Sequence, residues 1–261
     1  MFKTNPIIIA GGGHAGIEAA LAISRMGNKV TIITLDPKSI GRMSCNPAIG
    51  GLAKGHIVKE IDALGGIMGV AADYAGIQFK TLNKSKGRAV WSPRAQVDKL
   101  KYTQFIQKTI TNDKNITVIG GEIVDFSVSN CKVSSVTLRN NDIYSCHSLI
   151  ITAGTFLNGL IHIGTRKFRA GRMGEKPAIG LTESLINKEF SVGRLKTGTP
   201  PRLLKKSIDW EKTQLAPGDE TPTPFSINST QGFNPVNEPC HIVDTNLNVH
   251  KYLKENLQKS A

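Results

Sequence analysis

A chain of 261 residues with 39% hydrophobic and 20% charged residues can bury a sizeable core, as one large domain or two smaller ones. No apolar run approaches the ~20 residues of a membrane span, a first strand beginning at Ile7 leaves no room for a secretory leader, and four cysteines without paired spacing argue against a disulfide framework or metal site and suit the cytoplasm. The 33 Lys and Arg against 20 acidic residues, net +13, favour a polyanionic partner, nucleic acid before acidic cofactors, or else simply a solubilising surface; 6% aromatics argue against a base-stacking platform.

The run Ile7-Ile8-Ile9-Ala10 has strand length and meets Gly11-Gly12-Gly13-His14-Ala15-Gly16, followed by an alanine-rich helix to about Met26. In this Gly-x-Gly-x-x-Gly turn Gly11 permits the tight turn, Gly13 lets the backbone approach a pyrophosphate, and Gly16 lets the helix pack on the strand. The helix N-terminus presents unpaired N–H groups to phosphates. Gly11, Gly12, Gly13, His14, Ala15 and Gly16 are therefore candidate cofactor-binding residues, with His14 near the phosphates or flavin rather than on a metal. Gly27 caps the helix, and Lys29 to Thr34 reads as a second strand. Asp36 follows the last glycine by about 20 residues, where an acidic residue meets a ribose hydroxyl, although Thr34 and not a carboxylate holds the strand's tip.

The glycine-punctuated loop Gly41 to Gly51 contains Ser44-Cys45-Asn46-Pro47. Beyond the second strand of a doubly wound sheet, with Lys54 nearby, Cys45 is a candidate nucleophile of lowered pKa, or an inert buried thiol. A helix is predicted over 52–64, ended by Gly65-Gly66, and residues 73–91 are mixed and basic. Ser92-Pro93 reads as a helix start, with a stripe of Val97, Leu100, Ile106 and Ile110 running to Ile110. Strands are predicted at 116–119, 123–128 and 133–139; the turns at Asn130 and Asn140-Asn141 make a β-meander, with Cys131 and Cys146 as packing residues. Leu149 to Thr152 reads as a buried strand, and its exit at Ala153-Gly154 admits a cofactor or is a plain loop. Prolines dominate from Pro200, where a second module begins; Cys240 is ambiguous, and 249–258 forms a short helix. The basic stretches 80–94 and 194–202 contact phosphates or face solvent.

Taken together, Gly11 to Gly16, Ser44 to Gly51, Lys54 to Gly66, Ser92 to Gln96, Gly154 to Gly159 and Gly193 to Arg202 resemble the MnmG (GidA) flavoprotein family, through essentially the whole chain. A folate-dependent tRNA methyltransferase family shares the glycine turn but carries a different cysteine motif. The resemblance implies an α/β fold: a Rossmann-like FAD-binding domain of the glutathione-reductase type with a β-meander over 1–199, and the start of an inserted second domain over 200–261. It implies a cytoplasmic enzyme that builds a carboxymethylaminomethyl or aminomethyl group on C5 of the tRNA wobble uridine. FAD, methylenetetrahydrofolate and NADH take part, in a homodimer that forms a heterotetrameric complex with the GTPase MnmE. By family position Cys45 is catalytic, Ile123 holds the adenine through its backbone, and Gly154 lies at the cofactor. Ala178 stands at a flavin contact where Ser can occur. The tRNA candidates are Lys54, Arg94, Arg194, Lys196 and Arg202, and no metal is implied.

Family chains are considerably longer. Further on they carry a Gly-Pro-Arg-Tyr-Cys-Pro segment with a second cysteine and the NADH site, a return to the flavin domain, and a helical domain, none of which this sequence contains; Cys240 is not that second cysteine. The alternatives are a catalytically silent FAD-binding fragment and a generic FAD-dependent oxidoreductase, the latter leaving the charge and the cysteine loop unexplained.

Overall fold

Aliphatic-rich strands build the centre of this molecule, and the two innermost, Ile7–Ala10 and Val30–Thr34, bury side chains on both faces. The computed structural model describes residues 7–43, 46–198, 200–229 and 233–259. In chain order these form β1 (Ile7–Ala10), α1 (His14–Arg25), β2 (Val30–Thr34), β3 (Ala48–Gly50), α2 (Lys54–Ala63), α3 (Met68–Ala75), β4 (Gly76–Leu82), β5 (Ser92–Val97), α4 (Lys99–Asn112), β6 (Ile116–Gly120), β7 (Ile123–Ser129), β8 (Lys132–Leu138), β9 (Ile143–Ser145) and β10 (Ser148–Ile151). There follow β11 (Leu160–Ile163), β12 (Arg166–Arg169), α5 (Leu181–Asn187), β13 (Gln214–Ala216), β14 (Cys240–Ile242) and α6 (Leu247–Glu255).

The central sheet has the order β10-β1-β2-β6 and is parallel throughout. Successive side chains leave it on opposite faces. Ile9, Val30 and Ile32 pack with α1, α3, α4 and the β3-β5-β4 sheet, through Ala20, Ala72, Ile106 and Phe79. Ile8, Ala10 and Ile33 pack with the meander and α5, through Phe126, Val136, Leu138 and Leu181. Ile8, Ile9 and Ile32 have no exposed surface, and each contributes about 1.5–3 kcal/mol by burial. Helix α1 stops where Gly27 takes φ +78° and donates to Ser24 O at 2.9 Å.

Several expectations are corrected. Ser92-Pro93 does not start a helix: both lie in β5, the middle strand of β3-β5-β4. Pro93 is accommodated where the β3 pairing ends, at Gly50↔Arg94, its carbonyl accepting from Gly51 N at 2.9 Å. The helix begins instead behind Asp98, whose carboxylate accepts from Leu100 N (2.8 Å) and Lys101 N (3.0 Å). Its buried stripe is Tyr102, Ile106 and Ile110, while Leu100 is 66% exposed. The mixed stretch 73–91 contains the end of α3 and all of β4. β6 belongs to the parallel sheet, and β9 is the meander's third strand. Cys146 is buried, its thiol pushed up by desolvation, but Cys131 is exposed in a turn at φ +58°.

The proline-rich stretch is stitched to β4. Glu238 N donates to Ile77 O (2.6 Å), Asp219 N to Phe79 O (2.8 Å), and the Gln78 amide to Glu238 O (2.8 Å). Cys240 Sγ meets Gln78 Oε1 at 3.1 Å, so it is a partly buried packing group.

Candidate functional site at the carboxyl edge of the parallel sheet

The glycine turn follows β1 at the carboxyl edge, where open α/β sheets bind ligands. Gly11 has φ +115° and donates to Ile33 O at 2.8 Å; a Cβ there would stand 2.6 Å from Thr152 O. A Cβ on Gly16 would stand 2.1 Å from Gly11 O, so helix and strand meet at backbone distance. Gly12 lies under Ile40, and its carbonyl accepts from Gly41 N at 3.1 Å. Gly13 differs from all three. It is the exposed N-cap of α1, in extended backbone, with no side-chain cap, and a Cβ there meets nothing within 4 Å. The first turn of α1 thus has its N–H groups, Ala15 among them, at an open edge, an arrangement that suits a pyrophosphate.

Thr152 was not among the expected residues. Its N–H and hydroxyl bond Ala10 O (2.9 and 3.1 Å), and the hydroxyl also reaches Gly11 O (3.1 Å), locking the end of β10 to the turn. Gly154 follows at φ +58°, again with nothing within 4 Å of a Cβ. Asp36 lies two residues past the tip of β2, which Thr34 holds, and its carboxylate is engaged in its own turn: Lys38 N donates to it at 2.9 Å and Ser39 Oγ at 2.5 Å. The Ser39 bond first, then that of Lys38, holds its carboxyl below the usual range.

Ile123 opens β7 beside that tip, where Gly121 N donates to Thr34 O at 2.9 Å. Ala178 is held near it by an unanticipated clamp. Glu122 accepts from the Arg139 guanidinium (2.8 Å at Nη2) and from Ile179 N (2.7 Å), and the arginine, before burial opposes it, holds the carboxyl low. Ala178 uses both backbone groups on the chain after Gly154, donating to Phe156 O (2.9 Å) and accepting from Asn158 N (2.8 Å). The structure thus brings Gly11 to Gly16, Asp36, Ile123, Gly154 and Ala178 to one edge.

The His14 ring turns from the open edge onto Tyr102 (5.5 Å between centroids), and neither its buried Nε2 nor the buried Tyr102 hydroxyl has a partner among the described residues. Burial lowers the His14 pKa, so the ring is neutral at pH 7. A histidine depressed below its unfolded value stabilises the fold above that value, near 6.5, and loses this contribution as pH falls through its folded pKa. The urea midpoint is therefore expected to fall between pH 7.5 and 5.5, with a smaller fall in His14→Gln. Equal falls in both proteins would remove His14 from this account.

Ser44 and Cys45 lie outside the described residues. The loop before them is anchored by Arg42, which pairs with Glu175 at 2.9 Å, and by buried Met43; after them it runs into β3. Lys54 opens α2 and is exposed, beside the partly buried Arg94 of β5: a Cβ on Gly55 would stand 2.5 Å from Pro93 O. Arg194 is elsewhere, its guanidinium on Asn158 O at 3.2 Å, and exposed Lys196 and Arg202 follow it on an irregular segment. The 80–94 stretch is largely engaged: Lys80 bonds Pro217 O (3.1 Å), Lys84 pairs with Asp219 (3.1 Å), and Arg88 covers Trp91. Among the described residues no group of three or more His, Cys, Asp or Glu could hold a metal, and no helix is long and apolar enough to cross a membrane.

A parallel sheet with a glycine turn at its carboxyl edge, α1, α3 and α4 on one face and an antiparallel meander with α5 on the other defines a Rossmann-like dinucleotide-binding fold of the glutathione-reductase type. The chain belongs to the glucose inhibited division protein A family, whose model matches residues 6–261. It is 48% identical to the tRNA uridine 5-carboxymethylaminomethyl modification enzyme MnmG of Thermodesulfovibrio yellowstonii, over 99% of this chain and 41% of that protein. It is 45% identical to the Aquifex aeolicus enzyme of the same name, over 98% of this chain and 42% of that protein. The crystal structure of Aquifex aeolicus GidA superposes with a TM-score of 0.92 at 44% identity, covering 99% of this chain and 44% of that one. The GidA-related protein of Thermus thermophilus shares the fold alone, with a TM-score of 0.51 at 15% identity over 70% of this chain and 68% of that one. The chain therefore spans less than half the length of these curated relatives.

Proposed function

We propose that this chain is the FAD-binding portion of an enzyme that modifies C5 of the tRNA wobble uridine. The observation that carries this reading is the 48% identity, over 99% of the chain, to a tRNA uridine 5-carboxymethylaminomethyl modification enzyme. Residues 1–199 are proposed as the flavin domain and 200–261 as part of an inserted one. The open cradle above Gly13 and Gly154 suits a dinucleotide, because it leaves backbone free where a phosphate must approach. Gly11 to Gly16 would hold the pyrophosphate, Ile123 the adenine, Asp36 the ribose, and Gly154 and Ala178 the remainder.

Bound FAD would supply the redox chemistry that carries a one-carbon unit from methylenetetrahydrofolate to the base, with NADH as reductant. The chain's own contribution is nucleophilic. C5 of uracil is a poor nucleophile until something adds at C6, and the Cys45 thiolate is the group proposed to add there. The net charge of +13 suits a tRNA, with Lys54, Arg94, Arg194, Lys196 and Arg202 proposed at its phosphates. The GTPase MnmE, a homodimeric assembly and a cytoplasmic setting belong to the same reading.

The direct test is a flavin titration of the purified chain, followed by absorbance and fluorescence quenching. Saturable binding at equal stoichiometry is expected. A chain that folds and binds no flavin would overturn the assignment of the cradle.

A further inference from the structure

Beyond β10 the chain leaves the carboxyl edge through a short turn, Gly154–Phe156, and folds back on itself as the two-stranded ribbon β11–β12. The pair Ile163↔Arg166 closes the ribbon over the two-residue turn Gly164-Thr165, with Gly164 at φ +56°. Its root is fixed. Ala170 N donates to Gly159 O and Gly171 N to Glu175 O, both at 3.1 Å. A Cβ on Gly159 would run into Ala170 O, and one on Gly171 into the Phe156 ring. The Arg172 guanidinium covers that ring at 4.9 Å and pairs with Glu175 at 2.9 Å, as Arg42 does from the loop after β2. Phe156 and Asn158 both bond the Ala178 backbone, so the ribbon rises from the proposed cofactor edge.

Opposed residues of an antiparallel pair share a face, and neighbours along a strand alternate. The register Leu160↔Arg169 and His162↔Lys167 therefore puts His162, Lys167 and Arg169 on one face. Ile161, Ile163 and Phe168 lie on the other, with Arg166 beside the turn. Every residue of β12 is exposed. Among the described residues, none forms an ion pair with Arg166, Lys167 or Arg169. Glu183 feels Arg169, but its carboxyl is held low first by the Asn158 amide and then by the backbone of its own helix. The sequence has no Asp or Glu anywhere in 143–174, a stretch that holds four Lys and Arg. A surface that serves only solubility mixes both signs, whereas the cations of 80–94 are largely engaged and these are not.

We propose that the ribbon β11–β12 grips the phosphate backbone of the RNA substrate, with Lys167 and Arg169 on successive phosphates and Arg166 at the turn. The proposal rests on the tRNA reading given above and adds residues that it does not include. Lys167 and Arg169 stand about 6.6 Å apart along one face, a spacing that long side chains match to neighbouring phosphates. Arg194, whose guanidinium meets Asn158 O at the root, continues the same basic track. The net charge of +13 and the root beside the cofactor edge favour RNA over an acidic protein or an anionic membrane, neither of which has to reach that edge.

The test is fluorescence anisotropy of a labelled tRNA transcript with uridine at the wobble position, titrated with the purified chain at about 50 to 200 mM KCl. Arg166→Gln/Lys167→Gln/Arg169→Gln is expected to weaken binding ~10-fold or more and to lower the salt slope by ~2–3. Lys108→Gln/Lys114→Gln/Lys132→Gln removes the same charge from exposed sites away from the edge and is expected to cost less than ~3-fold. Arg166→Lys/Arg169→Lys keeps the charge and is expected to bind within ~3-fold of the parent. Urea unfolding checks the fold of each. Should the triple ribbon variant not fold, Lys167→Gln alone is expected to cost ~3-fold and about one unit of slope. A ribbon variant that binds like the parent, or like the Lys108, Lys114 and Lys132 variant, would overturn the proposal, and so would a parent that binds no tRNA at the lowest salt. Tighter binding to phosphatidylglycerol vesicles or to polyglutamate than to tRNA would overturn it in favour of a membrane or an acidic protein. The functional reading fails separately: a protein of the relatives' full length that grips tRNA through the ribbon and leaves the wobble uridine unmodified would keep the contact and lose the enzyme.

Discussion

A Gly13→Val chain is expected to fold almost as well as the parent and to lose flavin, with affinity reduced at least ~100-fold, because the new branch fills the space proposed for the pyrophosphate. The structure makes the two effects separable. Gly13 has φ −77° and ψ −177°, extended backbone that valine adopts readily, and its Cβ would meet no atom of the chain within 4 Å. The expected stability cost is at most about 1 kcal/mol, that of a poorer helix N-cap. Gly16→Ala is the paired control: its methyl would stand 2.1 Å from a backbone oxygen that no rotamer change can move. The helix must shift on the strand, at a cost of about 1–3 kcal/mol. Urea unfolding and flavin titration on both variants check the pair. Flavin retained by Gly13→Val would remove the phosphate from the turn. Undiminished stability in Gly16→Ala would remove the close-packing account.

How much could be read in the sequence follows from how local each constraint is. The Ile-Ile-Ile-Ala and Val-Thr-Ile-Ile strands were legible because burial on both faces favours aliphatic side chains, with the partly buried Thr31 the one polar interruption. The glycine turn was legible because backbone geometry dictates it: φ +115° at Gly11 and contact distance at Gly16 admit no other residue cheaply. Ser92-Pro93 misled because a helix-start dipeptide is also tolerated where a strand ladder stops, and the true start signal, Asp98, lay six residues further on. Helix α3 carries Gly69 and five apolar residues in eight, with no clear period to distinguish it from loop.

The site's supports were hidden for a different reason. Thr152 acts on Gly11 from 141 residues away, and Glu122 reaches Ile179 across 57. Asp73 holds Phe225 N across 152, inside a stretch whose prolines mask any periodicity. Such pairs have no local pattern, so only the folded chain reveals them. Asp36 shows the intermediate case. Its place just past the end of β2 was readable from spacing, while its commitment to Lys38 N and Ser39 Oγ, which orients the carboxylate, was not.

Cys45→Ser, carried in a protein of the relatives' full length, is expected to reduce wobble-uridine modification by ~10³-fold or more while leaving flavin content unchanged. The size of the effect follows from the chemistry assigned to the thiolate. Addition at C6 turns a weakly nucleophilic C5 into an enolate-like carbon, and a serine hydroxyl, scarcely ionised at neutral pH, cannot substitute. The unchanged flavin follows from position: the proposed cradle is made by Gly11 to Gly16, Ile123 and Gly154, none of which depends on a thiol. Nucleoside analysis of tRNA from cells relying on the variant, with the absorbance of the purified protein beside it, measures both quantities. Unaltered modified-nucleoside levels would show that another group adds to the base, and loss of flavin would mean that the cysteine loop supports the cofactor.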